Sequence, residues 1–279
     1  MKFLSRFLLL FLLCCFASLR AETFIRDLAY GEAGGEVLKL DACVPDGTGP
    51  FPVAILVHGG GWSGGDKATD ITPWFKALTK GRYLWFSINY RLAPKHRWPA
   101  CAEDVAQAIR WVKAHAASYG GDLSRVALFG YSAGGHLAFY TAATGGEELR
   151  VQALVGYAPV TDFVLELPTR GGLSSSLQAL IDKPKELTPE SALLLRDLSP
   201  ISHVHPGMPP VLILHGTADK TVPPQASRNL QKRLTQMGVS CEILDIPGAG
   251  HRLSEWDKFD PSHGDRMLAW LNIRFNWQP

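Results

Sequence analysis

Residues 125–144 read RVALFGYSAGGHLAFYTAAT. An apolar run, Val126 to Phe129, gives way at Gly130-Tyr131-Ser132-Ala133-Gly134 to small residues of helical habit, so the chain passes from strand to helix at Ser132. A serine at such a join has two readings. The glycines either ease an ordinary tight turn, or the turn lifts the Ser132 hydroxyl above the carboxyl end of a sheet. In the second case the backbone N–H of Ala133 faces the same point. The pentapeptide alone does not choose between them.

Outward from this join the chain alternates strand and helix patterns. Continuous apolar runs stand at 52–58 (PVAILVH), 83–90 (YLWFSINY), 152–160 (QALVGYAPV), 210–216 (PVLILHG) and 241–248 (CEILDIPG). Runs without polar alternation suit strands covered on both faces, as in a parallel sheet. TFIRDLAYG (23–31) and EVLKLDACV (36–44) alternate instead and read as an antiparallel N-terminal edge. Between the runs, residues 100–118 put Val105, Ile109 and Val112 on one helical face. Residues 132–144, 223–237 and GDRMLAWLNIRF (264–275) complete the helices. The pattern is that of an α/β chain with a doubly wound, mostly parallel sheet and right-handed crossovers. Residues 162–209 interrupt it without a clear sheet strand, and are expected to carry a helix or two as a small cap insertion over the sheet's edge. The domain reading is a signal peptide at 1–21 followed by one domain over 22–279.

Composition narrows the function classes. The 279 residues are 46% hydrophobic and 19% charged, which suits a large core rather than disorder. The net charge is +2 with no basic stripe interleaved with aromatics, so nucleic acid is not an expected partner. Lys2 and Arg6 precede an apolar run from Phe7 to Ala17, short for a membrane span and suited to a signal-peptide core. Ala17 and Ala21 are alternative cleavage points, and an uncleaved anchor is the competing reading. Removal of the leader implies a secreted or periplasmic protein without stable membrane association. Cys43, Cys101 and Cys241 then remain, spaced for neither zinc nor a redox pair, and read as small buried hydrophobes.

The chemistry-bearing residues fall at strand ends. HGGGW (58–62) follows VAILV, and three successive glycines let backbone N–H groups face an anionic oxygen. A phosphate loop is the alternative, but no Gly-Lys-Ser/Thr and no GxGxxG with a ribose-binding acid accompanies it. His251, in PGAGH after CEILDI, is the expected base, with His263 the principal rival. His136, His203, His205 and His215 compete less well, and His58 reads as a loop brace. Asp219, in HGTAD after PVLIL, is the expected acid, whereas Asp104 reads as a structural carboxylate at a helix start. The order Ser132, Asp219, His251 is that of an α/β-hydrolase, each member on the loop after a strand. Trp62 and Tyr131 are placed to wall a substrate site, and Trp98 suits that role or core packing.

HGGGW, NYRLAP (89–94), WPACAEDVAQAIRWV (98–112), GYSAGGHLA (130–138), HGTAD and PGAGH together resemble the hormone-sensitive-lipase-like esterases. The likeness spans roughly residues 30–275 and is closest to the bacterial branch that includes bifunctional acetylxylan/feruloyl esterases. It implies an α/β-hydrolase fold and ester hydrolysis without metal or cofactor. It makes Ser132 the nucleophile, His251 the base and Asp219 its partner, with oxyanion donors at Gly60, Gly61 and Ala133. Many lipase-type relatives carry a helical cap ahead of the first strand, and here only a short stretch precedes it. That departure favours small acyl groups or bulky alcohols such as sugars over long lipids. A serine exopeptidase of related fold would bring a large substrate-gating domain for which no residues remain, and two other functions compete: amide hydrolysis of the arylformamidase kind, and a binding protein on a hydrolase scaffold. The second predicts a lost triad member, and all three are present.

Overall fold

The apolar runs pair into one eight-stranded sheet. The computed structural model describes residues 22–69, 71–165 and 171–279; the leader read at 1–21 lies outside the described residues. The strands are β1 (Thr23–Ala33), β2 (Glu36–Val44), β3 (Phe51–Val57), β4 (Leu84–Ile88), β5 (Gly121–Tyr131), β6 (Ala153–Tyr157), β7 (Val211–Gly216) and β8 (Cys241–Ile246). Their spatial order is β1-β2-β4-β3-β5-β6-β7-β8. β1 with β2 and β2 with β4 run antiparallel, and every later pair is parallel. This is the doubly wound sheet with an antiparallel N-terminal edge that the patterning implies.

Burial follows from the pleat. Val53, Ile55 and Val57 of β3 face one layer, with Val105, Ile109 and Val112 of α2 (Ala100–His115). Ala54 and Leu56 face the other, with Trp74 and Leu78 of α1 (Thr72–Lys80) and with Met267 and Leu271 of α7 (His263–Phe275). All residues of β3, β4, β6 and β7 are buried, which explains their unbroken apolar runs. Alternation in β1 reflects its exposed edge position. The helices α3 (Ala133–Thr144) and α6 (Pro224–Gln236) join α2 on the first face. The expected helix at 100–118 stops at His115, and Ala116–Tyr119 tightens into a 3₁₀ turn closed by Gly120 at φ 78°.

The segment between β6 and β7 carries α4 (Ser175–Ile181) and α5 (Pro189–Leu198). Ser174 caps α4 by accepting from Leu177 N, and Thr188 with Ser191 forms a reciprocal cap on α5. Asp104, fully buried, takes the guanidinium of Arg91 on both carboxylate oxygens and the Arg91 N–H as well, tying the NYRLAP loop to α2. Cys43, Cys101 and Cys241 are free thiols, the first two buried and the third half-buried.

The strand-to-helix join depends on close backbone approach. A Cβ on Gly134 would stand 2.2 Å from the carbonyl oxygen of His58 and 2.3 Å from that of Val57, so α3 rests directly on the end of β3. Gly134→Ala therefore lowers unfolding free energy by about 1–3 kcal/mol, opposite in sign to an ordinary glycine-to-alanine change within a helix. Urea denaturation of the two proteins measures it.

Candidate active site

Ser132 stands between β5 and α3 with φ 53° and ψ −117°, a conformation L residues rarely adopt. Its N–H donates to Tyr157 O at 3.0 Å, and its carbonyl accepts from His136 N at 3.0 Å and Val160 N at 3.3 Å. Neighbouring backbone thus holds the turn from both sides.

β7 and β8 deliver the other two groups. Asp219 follows β7, and its carboxylate is fully buried. Oδ1 accepts from Thr221 N at 2.8 Å and Val222 N at 2.9 Å. Oδ2 stands 2.7 Å from His251 Nδ1, and His251 Nε2 stands 2.8 Å from Ser132 Oγ. An ionised carboxylate only accepts, so the proton sits on Nδ1 and Nε2 is left facing the serine hydroxyl. Burial favours the neutral acid at Asp219, but hydrogen bonds from His215 and His251, with the Val222 N–H, outweigh it and hold the carboxyl well below the usual carboxylate range.

Tyr131 lines the cavity beside Ser132, and also braces His251. Its hydroxyl donates to His251 O at 2.9 Å, and its ring stacks on the imidazole with centroids 5.3 Å apart. Trp62 lines the same cavity with φ 58°, and its indole N–H donates to His136 Nδ1 at 3.1 Å. Trp98 packs against His136 and Tyr140 instead and does not line the cavity. In the glycine loop, Gly60 has φ 104° and a Cβ there would stand 2.1 Å from Gly64 O, so only glycine fits. Among the described residues, no acceptor meets the backbone N–H of Gly60, Gly61 or Ala133, and all three residues line the cavity with Ser132.

The rival histidines lie elsewhere. His263 is buried against Tyr157 and Trp256, with Nε2 3.0 Å from Asp257 Oδ1. His58 is buried and stacked on Tyr90, with Nδ1 2.7 Å from Gly59 O, as befits a loop brace. His203 is half-buried, His205 is exposed, and neither lines the cavity. His215 is fully buried behind Asp219, its Nε2 3.4 Å from Oδ2.

The cavity holds about 710 Å³. Trp62, Val160, Phe163 and Leu177 give it an apolar wall, and Ser174, Thr221, Arg252 and Glu255 a polar one. Reading the sequence finds Trp62 and Tyr131 because they adjoin motifs. It misses Phe163, Ser174 and Leu177, whose segment has no motif, and Arg252 and Glu255, although these follow His251 within one turn of chain. Among the described residues, no group of three or more His, Cys, Asp or Glu side chains is placed to hold a metal ion. No helix among them is long and apolar enough to cross a membrane.

A family model described as BD-FAE matches residues 40–234. The probable carboxylic ester hydrolase LipM of Mycobacterium tuberculosis is 36% identical over 241 residues, covering 81% of this chain and 55% of that protein. The esterase LipC of the same organism is 32% identical over 240 residues, covering 81% and 59%. The chain thus spans a little over half the length of these curated relatives. Among solved structures, a truncated form of a carbohydrate esterase from gut microbiota superposes with a TM-score of 0.79 at 26% identity, covering 91% of this chain and 97% of that one. The sheet and its flanking helices are those of the α/β-hydrolase fold.

The His136–Trp62 bond has a measurable pH signature. Full burial pushes the His136 imidazole down to about 4, against a slight upward pull from the carbonyl of Leu198, 2.9 Å from Nε2. The unfolded chain therefore binds the extra proton first as pH falls. The His136 contribution is complete above about pH 6.5 and is lost progressively between there and pH 4, amounting to about 3 kcal/mol. Urea titrations at pH 7 and pH 4 should show a smaller difference in His136→Phe than in the parent, although the variant is less stable at pH 7.

Proposed function

The chain belongs to the BD-FAE family, and from that premise we propose that it is a serine carboxylesterase cleaving esters of short acyl groups, among them acetyl or feruloyl esters of carbohydrates. The observation that carries this reading is the unbroken relay from Ser132 Oγ through His251 to Asp219, at 2.8 Å and 2.7 Å, opening on the 710 Å³ cavity.

In the proposed reaction His251 Nε2 takes the proton of Ser132 as Oγ attacks the ester carbonyl, and the buried Asp219 carboxylate stabilises the imidazolium that forms. The N–H groups of Gly60, Gly61 and Ala133 hold the oxyanion. Their lack of protein acceptors supports the assignment, since donors in place before reaction need no rearrangement in the transition state. Collapse of the tetrahedral species passes the proton from His251 to the departing alcohol and leaves an acyl-Ser132. Water, deprotonated by His251, then attacks the acyl carbon, and the acyl–Oγ bond breaks as His251 returns that proton to Ser132 and the acid leaves. No metal or cofactor takes part.

The division of the cavity supports the substrate class. Trp62, Phe163 and Leu177 suit an acyl group, and Ser174, Thr221, Arg252 and Glu255 suit the hydroxyls of a sugar alcohol. The solved carbohydrate esterase adds weight by likeness of fold and sequence. The 162–209 segment acts as the cap, with Ser174, at the start of α4, and Ser176 and Leu177 within it lining the cavity. Lys2, Arg6 and the apolar run behind them support export of the protein to the periplasm or medium.

Ser132→Ala should retain the fold by circular dichroism and lose at least about 1,000-fold in turnover of p-nitrophenyl acetate. A fluorophosphonate should label the parent and not the variant. Activity at the parent's level in Ser132→Ala would overturn the assignment. A panel of p-nitrophenyl acyl lengths, acetylated xylan and methyl ferulate reads the acyl and alcohol preferences.

A further inference from the structure

The catalytic acid is contacted by two imidazoles. His251 meets Asp219 Oδ2 from the cavity, and His215, fully buried on β7, faces the same oxygen from the protein interior at 3.4 Å. His215 Nε2 also lies 3.0 Å from Val222 O. A carbonyl and a carboxylate only accept, so Nε2 carries a proton, donated to Val222 O and turned at longer range toward Asp219 Oδ2. His215 Nδ1, at 2.8 Å from Ser227 Oγ on α6, is left to accept from that hydroxyl.

We propose that His215 is a positioning residue of the acyl-transfer site, its Nε2–H fixing the Asp219 carboxylate in the rotamer that meets His251. The inference rests on the esterase reading above. Its physical basis is a closed loop of bonds. Val222 N donates to Oδ1 while Val222 O accepts from His215, so the 219–222 turn is held through both its carboxylate and its backbone. Asp219 Oδ2 would otherwise have His251 as its sole hydrogen-bond donor, and His251 is the group whose charge changes during the reaction. A second donor on the interior side, without contact to substrate, keeps the carboxylate in place while His251 gains and loses its proton. Ser227 adds the last restraint by holding His215 in the tautomer that donates to Asp219.

The test compares His215→Leu, which removes the donor at similar volume, with His215→Gln, whose amide N–H replaces Nε2–H. Both are assayed on p-nitrophenyl acetate beside Asp219→Asn and Ser132→Ala. His215→Leu is expected to lose about 10- to 100-fold in kcat with KM changed less than about 2-fold, the effect of one lost hydrogen bond to a charged group. His215→Gln is expected to recover most of that loss. The downfield proton resonance of the His251–Asp219 bond should broaden or shift in Leu and return in Gln. Parent-level kcat in folded His215→Leu, or equal losses in Leu and Gln, overturns the proposal. If His215→Leu does not fold, the Gln variant and the proton resonance in Ser227→Ala decide: an unchanged resonance in Ser227→Ala together with an impaired Gln variant counts against the role. Activity retained in Ser132→Ala or Asp219→Asn would instead overturn the esterase reading itself.

Discussion

Ser132 occupies backbone angles that cost an L residue about 1–3 kcal/mol, and much of the surrounding architecture keeps it there. The turn stands because β3 and β6, the neighbours of β5, supply the restraints. Gly134 sits on the carbonyls of Val57 and His58, and Tyr157 takes the Ser132 N–H. A larger residue at position 134 would lift α3 off the sheet. Without the Tyr157 carbonyl the serine could relax. Strain at one residue is thus offset by packing spread across three strands, which explains why small residues crowd this join while bulky ones fill the strands beside it.

Electrostatics imposes a second order on the site. A carboxylate with no exposed side-chain surface requires hydrogen bonds for both oxygens, and Asp219 obtains two from backbone and one from His251, with the His215 imidazole alongside at 3.4 Å. The HGTADKTV stretch supplies three of these four partners from within its own eight residues. Local sequence therefore builds the surroundings of Asp219, and only His251 arrives from a distant strand.

Much of this was legible before any coordinates. The unbroken apolar runs mark strands covered on both sides, and the observed strands lie within a few residues of them. The order serine, aspartate, histidine at the ends of three strands brings together the groups that the structure joins. The short helix α1 was not legible: Trp74, Ala77 and Leu78 do fall at helical spacing, but nine residues hold only that one set. The cavity wall escaped for another reason. Phe163 packs on Trp62 with ring centroids 5.6 Å apart, a contact between distant stretches that no local pattern encodes, and Leu177 lines the same cavity. His215 illustrates the same limit: as an isolated histidine it resembled a rival base, and only its place beneath Asp219 distinguishes it. Tyr131, read as a wall residue, proves also to hold the His251 loop, a bond between residues 120 positions apart.

The sheet order places the three groups on unequal footing. Ser132 leaves β5, an interior strand, whereas His251 leaves β8, an edge strand bonded to β7 alone and only half-buried along most of its length. Local opening begins at such margins and proceeds inward at less free energy than global unfolding. Release of β8 would carry the imidazole away from Oγ while the Ser132 turn stayed intact. Under the proposed mechanism, loss of ester hydrolysis on warming would then report the opening of one margin rather than the melting of the whole molecule.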